Sequence, residues 1–412
     1  ILKYSNCTKK TKSMKIKYGG SYTLKNNKHK SVLYICFIQN YFNTLIQRTH
    51  HIVQYMTKQN DIENIDIIYV KQDPEKHVDI FQEGKQTYYG ISTIPAWKYG
   101  LGHISNPLKM FFRFYKINKK KYDYIVAESP WGGIVALMLK LFRKSSVVIY
   151  EDMDYYPGFY TKSKIRNIIV NMFEKIVMRH SDLIITVGQE LRTLRRTYTK
   201  KEIKVIPNGV KFNTFYNGIK HKPEHDLTMI YMGKLDDWAG VDLPIKAMPQ
   251  LIKIIPNIKY LIIGEGPSEK KLKEMAKQLG VEKNVEFLGL KSYEELPYYL
   301  SKADIGIATF QPIPLMKYAF TLKVVEYGAA GLPVIATRIG ETKRYIEDYQ
   351  TGLTISYDVQ EFIDKVKMIF ENKTLYDQLS NNGIKRAQEL DWDNLLQNRY
   401  EIINKFLSEK AL

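Results

Sequence analysis

The chain has 412 residues, 44% of them hydrophobic, with two cysteines and a formal net charge of +19. That length exceeds a typical domain of ~100–200 residues and points to two or three domains. Cys7 and Cys36 are too few for a disulfide framework or a cysteine zinc site, which indicates a reducing, cytoplasmic setting, and no apolar run approaches the ~20 residues of a membrane-spanning helix.

The charge is uneven. Residues 1–222 hold 38 Lys+Arg and 16 Asp+Glu, a net +22, whereas residues 223–412 hold 24 and 27, a net −3. Such asymmetry suggests a polyanionic partner for the first half, unless a lysine-rich source composition accounts for it.

In chain order, residues 1–30 are lysine-rich, lack the apolar core of a secretory signal and read as a basic flexible tail. Apolar runs at 32–38, 67–70, 124–127, 147–150, 183–187 and 204–206 then read as strands, with helical patterns at 45–57 and 134–142 between them. Strands alternating with helices imply a parallel, doubly wound sheet, a Rossmann-like domain over 31–212. The polar segment 213–226, with Asn217-Gly218, has linker composition. A second series of strands follows at 228–232, 260–263, 285–288, 305–309 and 334–337, giving a second domain over 227–390. The final segment, 391–412, carries Leu395, Leu396, Tyr400, Ile403 and Phe406 at helical spacing.

In doubly wound sheets ligands bind beyond the carboxyl ends of the strands, so the loops there are searched first. After strand one come Gln39, Asn40, Arg48, His50 and His51, of which His51 is a candidate for the cleft, although histidine at such a place more often packs. After 147–150 come Glu151, Asp152 and Asp154, carboxylates that are costly at a strand end unless solvent, metal or polyol hydroxyls satisfy them. The segment 107–122, PLKMFFRFYKINKKKY, sets Met110, Phe111, Phe114 and Ile117 beside basic residues. It reads either as a helix at a membrane interface or as a core helix with a solvated lysine end. Nucleic acid is the poorer partner, since no recognised binding module is present.

Residues 321–337, TLKVVEYGAAGLPVIAT, are the most informative stretch. Val334, Ile335 and Ala336 form a continuous apolar run, which reads as parallel-sheet core. A helix entered at Leu322 offers free N–H groups and a positive dipole end to an anion, and Glu326, about one turn on, could accept hydrogen bonds from a ribose diol.

This stretch resembles the nucleotide-sugar site of the retaining glycosyltransferases of family 4, whose GT-B fold sets two Rossmann-like domains across a cleft. The resemblance covers nearly the whole chain after residue 30. Glu326 matches the second of that family's two glutamates; the first falls at Tyr318. Gly233-Lys234-Leu235 stands where the family has Gly-Arg-Leu, so Lys234 would meet the donor diphosphate. The family's second basic position falls at Ala239, and Lys323 could supply the missing charge. Gly233, Gly289, Thr321 and Leu322 complete the implied donor site. Asp152 or Asp154 would receive the acceptor hydroxyl or orient the transferred sugar. Asp152-x-Asp154 also spells the metal-binding motif of a different transferase fold, but it lies in the half opposite the nucleotide signature. The terminal helix would cross back to the first domain.

The function so implied is transfer of a hexosyl group from a UDP- or GDP-sugar to a hydroxyl on a glycan or lipid-linked acceptor, with retention and without metal or cofactor. An anionic membrane surface would contact the basic half. The alternatives are a nucleotide-sugar epimerase of the same architecture, or a scaffold that has lost turnover.

Overall fold

The computed structural model describes residues 29–39, 48–71, 78–93, 102–160, 163–216, 218 and 226–410. Most of the basic tail, Asn40 and most of the segment 213–226 lie outside the described residues.

Eight strands form the first sheet: β1 Lys30–Gln39, β2 Ile62–Lys71, β3 Val78–Glu83, β4 Gln86–Ser92, β5 Tyr124–Glu128, β6 Val148–Asp152, β7 Leu183–Thr186 and β8 Ile203–Val205. Their order is β3-β4-β2-β1-β5-β6-β7-β8. All neighbours are parallel except β3 and β4. These two were not foreseen. β3 is an edge strand with Ile80 and Phe81 exposed, so it lacks the apolar run that marks a buried strand. It turns into β4 through Gly84, at φ 56°.

The second sheet has six parallel strands: β9 Thr228–Met232, β10 Lys259–Ile263, β11 Val285–Gly289, β12 Ile305–Ala308, β13 Val334–Thr337 and β14 Gly352–Ile355. They run in the order β11-β10-β9-β12-β13-β14. Each sheet changes direction of winding beside its first strand, so the crevice for ligands lies at the carboxyl ends near β1 and β9.

Segment 107–122 forms most of a helix, Gly102–Ile117, but its apolar face is core. Met110, Phe111 and Phe114 are buried against Leu33, Ile35 and Ile125 of the first sheet. Of the two readings of this segment, the core helix holds for these three; only Ile117 of the four named is exposed.

The last helix, Trp392–Lys410, packs on the first domain. Chain crossing occurs where Val210 N–H donates to the Leu390 carbonyl and Trp392 N–H to the Val210 carbonyl, both at 3.0 Å. Beyond it Arg399 Nε donates to Glu151 Oε1 at 2.6 Å, and Arg48 meets the same carboxylate at 3.3 Å. Tyr400 bonds Asp61, and Lys30 Nζ donates to Asn404 at 2.8 Å. All three side chains of the Arg48–Glu151–Arg399 group are buried, so removing one member would strand a charge away from water.

Candidate functional site

Thr321, Leu322, Lys323 and Glu326, expected at the donor, fall on the helix Leu322–Ala329 and its cap. Thr321 caps its start with extended backbone but makes no side-chain capping bond, and its Oγ1 is buried without a partner. The first N–H groups of the helix therefore keep their capacity for an external acceptor, and a buried hydroxyl waits beside them. Lys323, the second helical residue, lays its ammonium 4.0 Å from the Tyr231 ring centre and 5.0 Å from that of Phe310. A Cβ on Gly233 would come within 2.8 Å of that ammonium, and Gly233 has φ 142°. Glycine at 233 is thus needed both for backbone geometry and for the cation to sit over the crevice loop.

Glu326 is 8% exposed and makes no hydrogen bond or ion pair through its carboxylate among the described residues. Burial raises its pKa to about 7, partly opposed by Lys323. Burial likewise lowers the Lys323 pKa to about 7, partly opposed by Glu326. Each group is poised between charge states, and an incoming diphosphate would favour the ammonium. Tyr293, with its pKa raised by burial and then by Glu326, closes the far side against Phe215, their ring centres 5.1 Å apart.

Lys234 departs from its expected role. Its side chain is 60% exposed and pairs with Asp236 at 3.0 Å. Ala239 is fully buried in a turn whose following Gly240, φ 67°, would otherwise put a Cβ 1.5 Å from the Thr309 carbonyl oxygen. Lys323 is the desolvated lysine on this side and Lys234 the solvated one. Gly289, at φ 68°, ends β11, and its carbonyl accepts from Gly264 N–H at 2.9 Å, tying two crevice loops together.

Across the crevice, Asp152, a candidate for the acceptor hydroxyl, lies in a buried ion cluster. Arg195 donates to it through Nε at 2.8 Å and Nη2 at 3.0 Å, and to Glu174 through Nη1 at 2.5 Å and Nη2 at 2.7 Å. All three side chains are 0% exposed. Burial pushes both carboxylates towards protonation and the guanidinium between them pulls back. Arg195→Met should cost about 3–5 kcal/mol of stability, because two buried carboxylates lose their counter-charge; urea unfolding checks this. Asp152→Asn should leave turnover per folded molecule within a few-fold.

His51, the candidate for the cleft, is largely buried. It lies stacked on Trp392, ring centres 4.8 Å apart, beneath the terminal helix, and burial drives its pKa down to about 3. The imidazole also lines a cavity at the domain junction together with Lys58, Lys211 and Asp391.

Asp154 remains. It follows the end of β6, is partly exposed, and has no side-chain hydrogen bond among the described residues. Burial, then the charge of Asp152, raises its pKa to about 7, with Arg195 opposing. Next to it Tyr155 reaches the second domain, where its ring packs 4.9 Å from that of Tyr318. An aromatic bridge thus stands where a carboxylate was expected. A second cross-domain bond runs from Glu190 N–H to Glu341 Oε2 at 2.9 Å, and a third from Asn208 Nδ2 to the Phe320 carbonyl at 3.1 Å. Glu341→Ala should weaken the closed arrangement by about 1 kcal/mol, seen as a larger radius of gyration in solution scattering.

One pair of crevice residues escaped the sequence reading. Glu128 ends β5, is 1% exposed, and accepts from Tyr34 Oη at 2.5 Å and Thr49 Oγ1 at 2.6 Å. Burial raises its pKa to about 7. Ser129 follows at φ 63°, a conformation costly for a residue with a Cβ and common where function holds the backbone. A carboxylate closing the apolar run 124–127 was the available signal.

Two doubly wound domains, each built on a mainly parallel sheet and joined by a terminal helix that crosses back to the first, define the GT-B class. Residues 213–386 match the family described as Glycosyl transferases group 1, and residues 49–213 match Glycosyltransferase Family 4. The chain belongs to the group 1 glycosyltransferases of family 4. It is 22% identical over 260 residues to the phosphatidylinositol N-acetylglucosaminyltransferase gpi3 subunit of Schizosaccharomyces pombe, covering 60% of this chain and 54% of that protein. The chain spans about half the length of the first curated relatives it matches. Among solved structures, the sucrose-phosphate synthase of Thermosynechococcus elongatus superposes with a TM-score of 0.74 at 19% identity, over 92% of this chain and 100% of that one. Anabaena HepE in complex with UDP-glucose gives 0.67 at 17% identity, over 92% and 100%. These two likenesses show the fold.

Proposed function

We propose that the chain transfers a hexosyl group from a nucleoside diphosphate sugar, a UDP-sugar first and a GDP-sugar second, to an acceptor hydroxyl with retention of configuration. The observation that carries this reading is the uncapped helix start, with the orphaned Thr321 hydroxyl, the Lys323 ammonium and the unpaired Glu326 carboxylate gathered within six residues. Family membership supports the reaction type, and the UDP-glucose bound by the HepE neighbour supports the donor class.

On this reading the helix start and Lys323 hold the diphosphate and stabilise the charge that develops as it leaves. Glu326 accepts from the ribose diol. Asp154 takes or orients the acceptor hydroxyl from the opposite wall, and no metal or further cofactor enters. The acceptor is a glycan or a lipid-linked hydroxyl, met at an anionic membrane surface. No helix among the described residues is long and apolar enough to cross a membrane.

A thermal-shift panel of UDP-, GDP- and ADP-sugars tests the reading. A donor at 100 times its Kd should stabilise the fold by about 2.7 kcal/mol. No shift with any sugar nucleotide would overturn it.

A further inference from the structure

We propose that the flank of the first domain formed by the helices Gly102–Ile117, Ser129–Leu141 and Lys164–His180 is a docking surface for an anionic phospholipid bilayer. On the transferase reading above, this flank would hold the crevice beside a membrane that carries the acceptor.

The three helices pack side by side on one face of the first sheet, with the terminal helix on the other. Their inner sides are core, but their outer sides are not polar. On the last of them Ile165 is 73% exposed and Ile168 66%, with Met172 one turn further along the same stripe. On the other two, Phe112, Leu141 and Phe142 emerge, Leu141 at 79% exposure. Amphipathic helices with a wet apolar stripe are unfavourable in water unless something covers that stripe.

Charge selects the cover. Residues 102–122 and 129–150 contain nine Lys or Arg and no Asp or Glu. The cations adjoin the apolar corner: Phe142 lies 5.3 Å from the Tyr115 ring, and the ammonium groups of Lys119 and Lys144 sit 5.1 and 5.2 Å over that same ring. Beside them is a cavity of 480 Å³ lined by Lys121, Lys140, Arg143, Lys144 and Ser145, with space for a phosphate headgroup. Lys140 is paired with Asp182, and Lys144 donates to the Asn118 and Lys120 carbonyls, whereas Lys121 and Arg143 are exposed at the rim. A second copy of the chain would bring two such faces together and set cation against cation. An anionic bilayer meets both the apolar and the cationic demand.

The geometry also suits delivery. These helices run back from the carboxyl ends of the strands, so each begins on the crevice side. Phe159, 54% exposed, lies in the short turn Tyr156–Tyr160 that leads into the third helix, and that turn packs through Gly158 against Leu315 of the second domain. The apolar stripe therefore reaches the crevice rim.

The test is co-flotation of the whole chain with phosphatidylcholine vesicles, with and without phosphatidylserine. The wild type should float with the anionic vesicles only, and less at raised salt. A variant carrying Ile165→Ser, Ile168→Ser and Phe142→Ser, and another carrying Lys121→Glu and Arg143→Glu, should each lose at least about tenfold in vesicle affinity. Both should keep the thermal shift given by sugar nucleotide, which separates failure of docking from failure of the transferase reading. Equal flotation of wild type and variants, equal binding to neutral vesicles, or a dimer that the serine variant dissolves would overturn the proposal.

Discussion

Replacement of Asp154 by asparagine is expected to lower kcat by about 100- to 10,000-fold, the range of general-base contributions, while donor affinity stays unchanged. Arg195 bonds only the backbone carbonyl of Asp154, at 3.0 Å, so its carboxylate stays outside the buried ion cluster, next to the cross-domain contact of Tyr155 with Tyr318. The sign of the pH effect follows from its pKa. Raised from 3.8 to about 7, the group is protonated below that value and becomes a base above it. Rate should therefore rise with pH through about 7, and this limb should disappear in Asp154→Asn. A steady-state profile of kcat against pH for both proteins is the measurement; an unchanged limb in the variant would assign it elsewhere.

The second large effect is expected at Lys323. Lys323→Met should reduce kcat/KM by about 100- to 1,000-fold, since it removes the cation that faces developing diphosphate charge in a site poor in other positive groups. Lys234 is the natural comparison. Its ammonium is solvated and already paired with Asp236, so Lys234→Met should cost about tenfold or less. In the free protein Lys323 loses its proton as pH rises through about 7, and Glu326 loses its own over the same range. Affinity for a sugar nucleotide should consequently fall above neutrality, and binding there should take up a proton, because the diphosphate pulls the Lys323 pKa upward. Calorimetric titration in buffers of different ionisation enthalpy measures that proton directly.

The main strands were readable because a strand buried on both faces is a continuous apolar run, as in 183–187 or 334–337. The hairpin of β3 and β4 was not, because an exposed edge strand need not carry that run. Similarly, the expected glutamate at 318 is a tyrosine that packs across the crevice on Tyr155, and the expected cation at 239 is a buried alanine. Both become intelligible only when the opposite wall and the Lys323 side chain are in place.

By itself, the sequence determined the architecture and the donor lobe. Thr321, Lys323 and Glu326 lie on a single helical turn and its cap, and their spacing brings a free helix start, an ammonium and a carboxylate together through local geometry alone. Tertiary structure decided the acceptor wall and the outer face. Asp152 and Asp154 look alike in a sequence, and only Arg195, 43 positions away, consumes one and leaves the other. Likewise, the pattern in 107–122 announces an apolar stripe without saying what it faces. The sheet beneath claims Met110, Phe111 and Phe114, and so leaves Phe112 to the outside. Burial and long-range pairing depend on which elements become neighbours, and that is not carried by any one segment.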